Sequence, residues 1–274
     1  MFFALLFIVL IIAVSIWMLL PAKYNKQAAE SLVRRNYAHR GFHNMENQIP
    51  ENSLAAFALA AEKGYGIELD VRLTRDDRVI VFHDDTLKRV CGVDKQVIDC
   101  TYNELLSYRL SGTNETIPLF SEVLACVNGR VPLIVELKQV KESEKLCRMT
   151  YEHLKVYNGL YCIESFDPRI VAWFRKNAPE IIRGQLSCKL KEKDMKSPVL
   201  RFLLTNLFLN VLSRPHFIAY NAEHMTNPFY RFVTGVLSAI PVGWTIRSEE
   251  VYQRQIADGT QMLIFEQFEP DATF

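Results

Sequence analysis

Gly66-Ile67-Glu68-Leu69-Asp70-Val71-Arg72-Leu73, answered after the turn Thr74-Arg75-Asp76-Asp77-Arg78 by Val79-Ile80-Val81-Phe82-His83-Asp84, is the stretch on which the reading of this chain turns. Period-two alternation puts Ile67, Leu69 and Val71 on one face of a strand and Glu68, Asp70 and Arg72 on the other. A parallel crossover needs a dozen or more residues, and only five separate Leu73 from Val79, so the two runs must form an antiparallel hairpin. If Glu68 and Asp70 stand at a barrel rim, the hairpin rises above that rim and returns His83 to the two carboxylates. Two acids on one strand face repel each other, so the pattern calls for a cation between them.

Upstream, Tyr37-Ala38-His39-Arg40-Gly41 reads as a strand that delivers a histidine and an arginine to a glycine turn. Pro50-Glu51-Asn52-Ser53 then opens a helix through Leu54, Phe57, Ala58 and Ala61, with Asn52 or Ser53 as its N-cap and Glu51 as a favourable charge at its N-terminus. Two histidines, two acids and an arginine therefore converge from a span of 48 residues.

Downstream, apolar runs recur with helix-length material between them: Pro132–Lys138, Leu160–Phe166, Ile181–Ser187, His216–Asn221, Pro241–Ile246 and Met262–Glu266. With the strands at His39 and Glu68 they number eight, and eight parallel strands in about 240 residues predict an α/β fold, a (β/α)8 TIM barrel with its site at the strands' carboxyl ends. Polar residues end most of these strands, among them Glu136 with Lys138, Glu164 with Ser165, Gln185, Asn221, Trp244 with Thr245, and Glu266. Residues from about 85 to 120 break the rhythm after the second strand and read as an insertion over the barrel mouth.

At the N-terminus, Phe2 to Leu20 holds no charge and is long enough to span a bilayer. No basic residue precedes the run and bulky Trp17-Met18-Leu19-Leu20 ends it, which favours an uncleaved anchor over a signal peptide. Lys23, Lys26, Arg34 and Arg35 follow it, so the positive-inside rule places the remaining chain in the cytoplasm. The expected division is a transmembrane anchor over 1–21, a basic linker over 22–35 and a barrel domain over 36–274. Six cysteines without C-x-x-C spacing read as small buried hydrophobes. A net charge of +1 with no basic stripe argues against a nucleic-acid partner.

Glu68, Asp70 and Glu136 offer three hard oxygen ligands, a set suited to Mg²⁺ or Ca²⁺, while Arg40 and Lys138 add fixed positive charge. A hard divalent cation, a guanidinium, an ammonium and two imidazoles together describe a phosphate-ester site.

The ordered pieces His39-Arg40-Gly41, Pro50-Glu51-Asn52-Ser53, Glu68-Leu69-Asp70-Val71, Thr74-Arg75-Asp76 and His83-Asp84, then Glu136-Leu137-Lys138 and Trp244-Thr245, resemble the glycerophosphodiester phosphodiesterase family. The resemblance implies a TIM barrel that hydrolyses glycerophosphodiesters to glycerol 3-phosphate and an alcohol. It makes His39 and His83 the general base and acid, gives the metal to Glu68, Asp70 and Glu136, and gives the phosphate to Arg40 and Lys138. Trp244, at a strand end, reads either as core or as a cover for the glycerol moiety. Two positions depart from the family pattern: Arg247 stands where many relatives carry asparagine, and the last strand ends Phe265-Glu266-Gln267-Phe268 in place of a Thr-Asp pair.

Between Pro198 and Pro215, Leu200, Leu203, Leu204, Leu207, Phe208 and Val211 follow helical spacing, and Phe202, Leu209 and Leu212 add apolar surface beyond that stripe. As one helix of about sixteen residues, roughly 24 Å long, it is too short to span a membrane easily. It reads either as an ordinary barrel helix or, with Lys189, Lys191, Lys193 and Lys196 before it, as an interfacial helix near the mouth. The interfacial reading makes a lysophospholipid or another lipid diester the substrate, with the activity of a phospholipase D, and of a lysophospholipase D in the first case. A catalytically silent barrel that binds lipid or a partner at the membrane is the competing class, and it would not need the complete acid-base and metal set. His43 reads as a solvent-bonded loop residue, and His153, His216 and His224 as structural.

Overall fold

The computed structural model describes residues 2–138 and 141–274. Nine strands are formed: β1 (Arg35–Ala38), β2 (Gly66–Leu73), β3 (Val79–Val81), β4 (Leu133–Leu137), β5 (Tyr161–Ser165), β6 (Arg183–Ser187), β7 (Phe217–Asn221), β8 (Ile240–Ile246) and β9 (Met262–Phe265). Their order is β1-β9-β8-β7-β6-β5-β4-β2-β3, and pairing of β1 with β2 closes the ring. Every pairing in the ring is parallel, and only β3 runs antiparallel, on β2, with Val71 opposite Val81. This is the expected (β/α)8 barrel with its hairpin, and all eight expected strands are present.

Strand alternation sorts the core into layers. Ile67, Leu69 and Val71 of β2 and Leu133, Val135 and Leu137 of β4 pack with Phe57, Phe120 and Val123 of the outer helices. Their alternates fill the barrel interior, where Ile134, Cys162, Phe217, Ala219, Val242 and Ile264 share one cluster with Tyr37. The expected basic linker contains a short helix, Lys26–Glu30, whose Ala29 joins that interior cluster together with Leu32. Tyr37 donates its hydroxyl to the Leu32 carbonyl at 2.7 Å, which ties this plug to β1.

Residues between β3 and helix Phe120–Val127 build a small core of their own from Phe82, Leu87, Val97, Leu105, Leu110 and Ile117. Phe120–Val127 itself belongs to the outer layer, against helix Leu54–Glu62.

The single helix expected over Pro198–Pro215 is two short ones, Pro198–Thr205 and Asn210–Ser213. The break falls at Leu207, whose φ of 65° no α-helix accommodates. Leu207 and Phe208 are thereby turned into a cluster with Ile218, Tyr220 and Tyr230, while Val199, Phe202 and Leu212 stay exposed. Leu207 and Phe208 of the stripe therefore do cover the barrel, whereas Leu200 of the stripe and Phe202 and Leu212 of the surplus stay exposed and Leu209 is half-buried.

Helix Phe2–Leu19 is the one helix among the described residues long and apolar enough to cross a membrane; of the expected span 1–21, Met1 lies outside the described residues. It is exposed except at its end, where Leu19 is buried, Asn210 donates to the Leu19 carbonyl, and Arg214 donates to the carbonyls of Trp17 at 2.7 Å and Leu20 at 2.8 Å. All six cysteines are free, three of them buried and three half-buried.

Close approach of β6 and β7 depends on Gly184, since a Cβ there would lie 1.9 Å from Cε2 of Phe217. Gly184→Ala is expected to destabilise the barrel by about 1–3 kcal/mol, the usual result of overpacking a tight core. Urea unfolding measures this, and an unchanged midpoint would mean that Phe217 moves aside freely.

Candidate active site

Register brings the acids together. Asp70 of β2 stands opposite Glu136 of β4, and Glu136 opposite Glu164 of β5, while Glu68 precedes Asp70 on the same face. All four are buried. One carboxylate oxygen from each of Glu68, Asp70 and Glu136 can be chosen so that all lie within 4.8 Å of one another.

Cations and amides manage this charge. Lys138 Nζ, from the residue just beyond β4, lies 2.7 Å from Asp70 Oδ1 and 2.7 Å from Glu136 Oε1. Arg40 places Nε 3.4 Å from Asp70 Oδ2 and donates its backbone N–H to Glu68 at 3.0 Å. The turn that allows this has positive φ at Arg40 and Gly41, and a Cβ on Gly41 would meet that of Ala56 at 2.8 Å. Asn52, expected as a possible cap, instead adopts φ 54° and donates its amide to Asp70 at 2.8 Å; Ser53 caps the helix through Ala56 N–H.

Each acid responds to its surroundings. Burial pushes Asp70 up, but the Lys138 ammonium, His83 and Arg40 outweigh it and hold the carboxyl well below its usual range. Burial, then the charges of Asp70, Glu136 and Glu164, raises Glu68 well above it. Glu136 is raised by burial against the pull of Lys138. Glu164 is raised well above its usual value by burial and by Glu136, and its Oε2 has no hydrogen-bond partner. An all-oxygen trio of this kind fits a hard divalent cation such as Mg²⁺ or Ca²⁺, whose charge would oppose the rise in proton affinity at Glu68 and Glu136.

Both histidines are held by carboxylates. His39, in the turn after β1, has Nδ1 2.5 Å from Glu266 Oε2, so Nδ1 donates and Nε2 is left toward Glu68, 3.9 Å away. Burial lowers the His39 pKa in spite of Glu266, leaving a neutral imidazole. Glu266 is pushed up by burial but held well below its usual range by His39, His43 and the Arg247 guanidinium, whose Nε lies 2.7 Å from Oε1. His83 has Nδ1 2.6 Å from Asp84 Oδ1. Burial, with Lys138 and Arg40 opposing the pull of Asp70, lowers it to about 4. Arg72 does not pair with the acids beside it; it donates twice to the His83 carbonyl, at 2.9 and 2.6 Å, and so fixes the return of the hairpin.

Arg89, from the insertion, joins these parts. It donates to Asp84 at 2.7 and 3.0 Å and to both oxygens of Glu51 at 2.8 and 2.7 Å, while Glu51 also accepts from Arg40. Glu51, expected as a helix-end charge or as a supporting contact to the site, is the link between Arg40 and the insertion. Trp244 stands apart from the acids, with Nε1 donating to the Ala219 carbonyl and its ring edge-on to Phe166 at 5.5 Å.

His39, Arg40, Glu68, Asp70, His83, Glu136 and Lys138 therefore meet at one place, as expected. Sequence reading left Glu266, Asp84, Arg89, Asn52 and Glu164 without roles. For Glu266 the signal existed: closure of an eight-stranded ring makes the last strand the neighbour of the first, so a polar residue just beyond β9 must stand beside His39. His43, expected to bond solvent, has Nε2 3.8 Å from Glu266.

A model of the glycerophosphoryl diester phosphodiesterase family matches residues 39–266. A glycerophosphodiester phosphodiesterase of Bacillus altitudinis is 35% identical over 160 residues, covering 53% of this chain and 63% of the relative. A lysophospholipase D of Homo sapiens is 31% identical over 158 residues, 51% of this chain and 49% of the relative. The chain thus spans between about half and two-thirds of the length of these curated relatives. The structure of a phosphodiesterase from Oleispira antarctica in complex with the product sn-glycerol-3-phosphate superposes with a TM-score of 0.71 at 23% identity, covering 86% of this chain and 94% of that one, and shares the fold.

Metal binding at the acidic trio is expected to appear as thermal stabilisation. Mg²⁺ or Ca²⁺ at about a hundred times its Kd should add about 2.7 kcal/mol by mass action. Glu68→Gln, which keeps an acceptor for the Arg40 N–H, should remove most of that response in a melting experiment; a full response in the variant would place the ion elsewhere.

Proposed function

This chain belongs to the glycerophosphoryl diester phosphodiesterase family, and from that premise we propose that it hydrolyses glycerophosphodiesters to glycerol 3-phosphate and an alcohol. The observation that carries the reading is one carboxylate trio flanked by two imidazoles, each buttressed by its own carboxylate. A divalent cation held by Glu68, Asp70 and Glu136 would supply Lewis-acid stabilisation of charge on the phosphoryl oxygens. Lys138 has three N–H donors, two directed at Asp70 and Glu136, which leaves one for a phosphate oxygen beside Arg40.

Proton movement follows from the two histidines. His39 is neutral with Nε2 unprotonated, so it accepts the proton of the attacking oxygen, while Glu266 stabilises the imidazolium that results. His83 is neutral in the free protein; the negative phosphodiester beside it raises its pKa, and the proton it then holds passes to the leaving alcohol oxygen. Over the full reaction the oxygen of water ends on phosphorus, the phosphorus–oxygen bond to the alcohol breaks, and the proton returns. Names of relatives, a glycerophosphodiester phosphodiesterase and a lysophospholipase D, and a neighbour holding sn-glycerol-3-phosphate, support the substrate class.

We further read helix Phe2–Leu19 as a single-pass anchor, with the barrel on the cytoplasmic side that Lys23, Lys26, Arg34 and Arg35 favour.

His39→Ala and His83→Ala should each lower kcat by about 10²- to 10⁴-fold on glycerophosphocholine with an unchanged circular-dichroism spectrum. Release of glycerol 3-phosphate measures it, and near-normal turnover in either variant would eliminate the acid-base pair. In sealed inside-out membrane vesicles the barrel should be open to added protease; protection there, with cleavage in right-side-out vesicles, would reverse the topology.

A further inference from the structure

Past β5, next to the last of the buried acids, lies a cavity of about 570 Å³, within the size range of small-molecule sites. It opens between Phe166, just past β5, and Ser187, the last residue of β6, and is roofed by the two short helices of the 198–213 segment. Leu186, Leu200, Leu204, Leu209 and Leu212 form the core of its apolar wall, and Asp167, Arg169, Ser187 and Asp194 also border it. Its charged residue at the β5 end, Asp167, is already satisfied by Arg169 through contacts of 2.6 to 3.1 Å. Asp194 accepts the Lys191 N–H and Ser187 donates to the Leu204 carbonyl, so the polar groups at the border already have partners and the cavity offers chiefly apolar surface.

We propose that this cavity binds the acyl chain of a single-chain lysophospholipid while the lipid's phosphate sits at the acid and histidine cluster; the inference rests on the phosphodiesterase reading above. Three features select this occupant. The rim changes character across β5: the candidate metal ligands stand on β2 and β4, with Arg40 just past β1 and Lys138 just past β4, and Glu164 is the last of the acids, whereas past Glu164 the ends of β5, β6 and β8 present Phe166, Leu186 and Trp244. Phe166 is shared, lining the cavity on one side and meeting the Trp244 ring at 5.5 Å on the other, so a glycerol moiety against Trp244 would lead an attached chain past Phe166 into the cavity. Finally, the cavity's outer wall is continuous with apolar surface. Val199 and Phe202 are 68% and 53% exposed beside it, and Arg214, two residues beyond Leu212, bonds to the end of the apolar N-terminal helix. Surface of this kind next to a membrane-length helix suits a substrate drawn from a bilayer.

Hydrolysis of such a lipid adds water across the bond from phosphorus to the headgroup oxygen and leaves a monoacyl glycerophosphate, with the glycerol and its chain still held by the enzyme. Specificity then comes from the chain and not from the headgroup, because the headgroup departs on the opposite side of the phosphorus.

The test uses the full chain in lipid nanodiscs and compares glycerophosphocholine with short lysophosphatidylcholines kept below their micelle concentration. Each added methylene should raise kcat/KM about fourfold, the equivalent of ~0.8 kcal/mol per buried CH₂. Leu204→Trp, which fills the cavity, should reduce that dependence to less than twofold per methylene while glycerophosphocholine turnover, which also reports the fold, is unchanged. Leu200→Trp, at a more exposed part of the wall, serves where Leu204→Trp fails to fold. Val199→Ser with Phe202→Ser should keep the chain-length dependence. Turnover of glycerophosphocholine with no chain-length dependence, or a dependence that survives both tryptophan variants, overturns the acyl site alone. Silence on every diester in folded, metal-supplied protein overturns the phosphodiesterase reading and the acyl site with it.

Discussion

Four carboxyl groups buried on neighbouring strands of a closed ring, Glu68, Asp70, Glu136 and Glu164, impose the condition that the rest of this molecule meets. In a low-dielectric interior such charges cannot all stand ionised side by side. The chain answers with a lysine two residues beyond Glu136, an arginine in a left-handed turn, an asparagine amide from the start of a helix, and a raised proton affinity at Glu164. Asp70, which takes most of these partners, is the one held most firmly ionised. What the protein's own groups leave uncompensated is the charge a divalent cation would take up.

The two histidines reach this cluster by different structural routes. Barrel closure brings Glu266 to His39, a contact between residues 227 positions apart that exists only because β9 pairs with β1. A hairpin brings back His83, held by Arg72 at its carbonyl and by Asp84 at its ring. The insertion then connects both routes, since Arg89 grips Asp84 and Glu51, and Glu51 grips Arg40. Its small hydrophobic core gives Arg89 a rigid base, so the insertion acts as a brace on the site's entrance side.

Much of this was legible in the sequence because it rests on short-range rules. Strand alternation and a five-residue turn fix the hairpin, recurrent apolar runs give the strand count, and strand-end polarity locates the rim. Harder to read were features set by tertiary partners. Asn52 and Glu51 carry the residue types of a helix start, and nothing local says that Asp70 and Arg89 claim them instead. The leucine-rich run at 198–213 has unbroken helical spacing, yet burial of Leu207 and Phe208 against β7 requires a break that periodicity cannot reveal. The apolar cavity is likewise a product of how that broken segment lies over β5 and β6, with no motif of its own.

The two departures from the family pattern turn out to be one arrangement. Glu266 bonds His39 through Oε2 and Arg247 through Oε1, so the glutamate and the arginine stand together on one carboxylate. An unshared carboxylate at 2.5 Å would raise the affinity of His39 for a proton and favour imidazolium. Burial, helped by the Arg40 charge, outweighs that pull and keeps the His39 pKa low, while Arg247 helps hold the glutamate ionised from the far oxygen and the ring stays fixed. The orienting contact and the basicity of the imidazole are thereby set by different residues. Arginine at position 247 is thus tied to glutamate at 266: without the glutamate it would stand as an unpaired positive charge at the rim, and without the arginine the far oxygen of the glutamate would lose its partner.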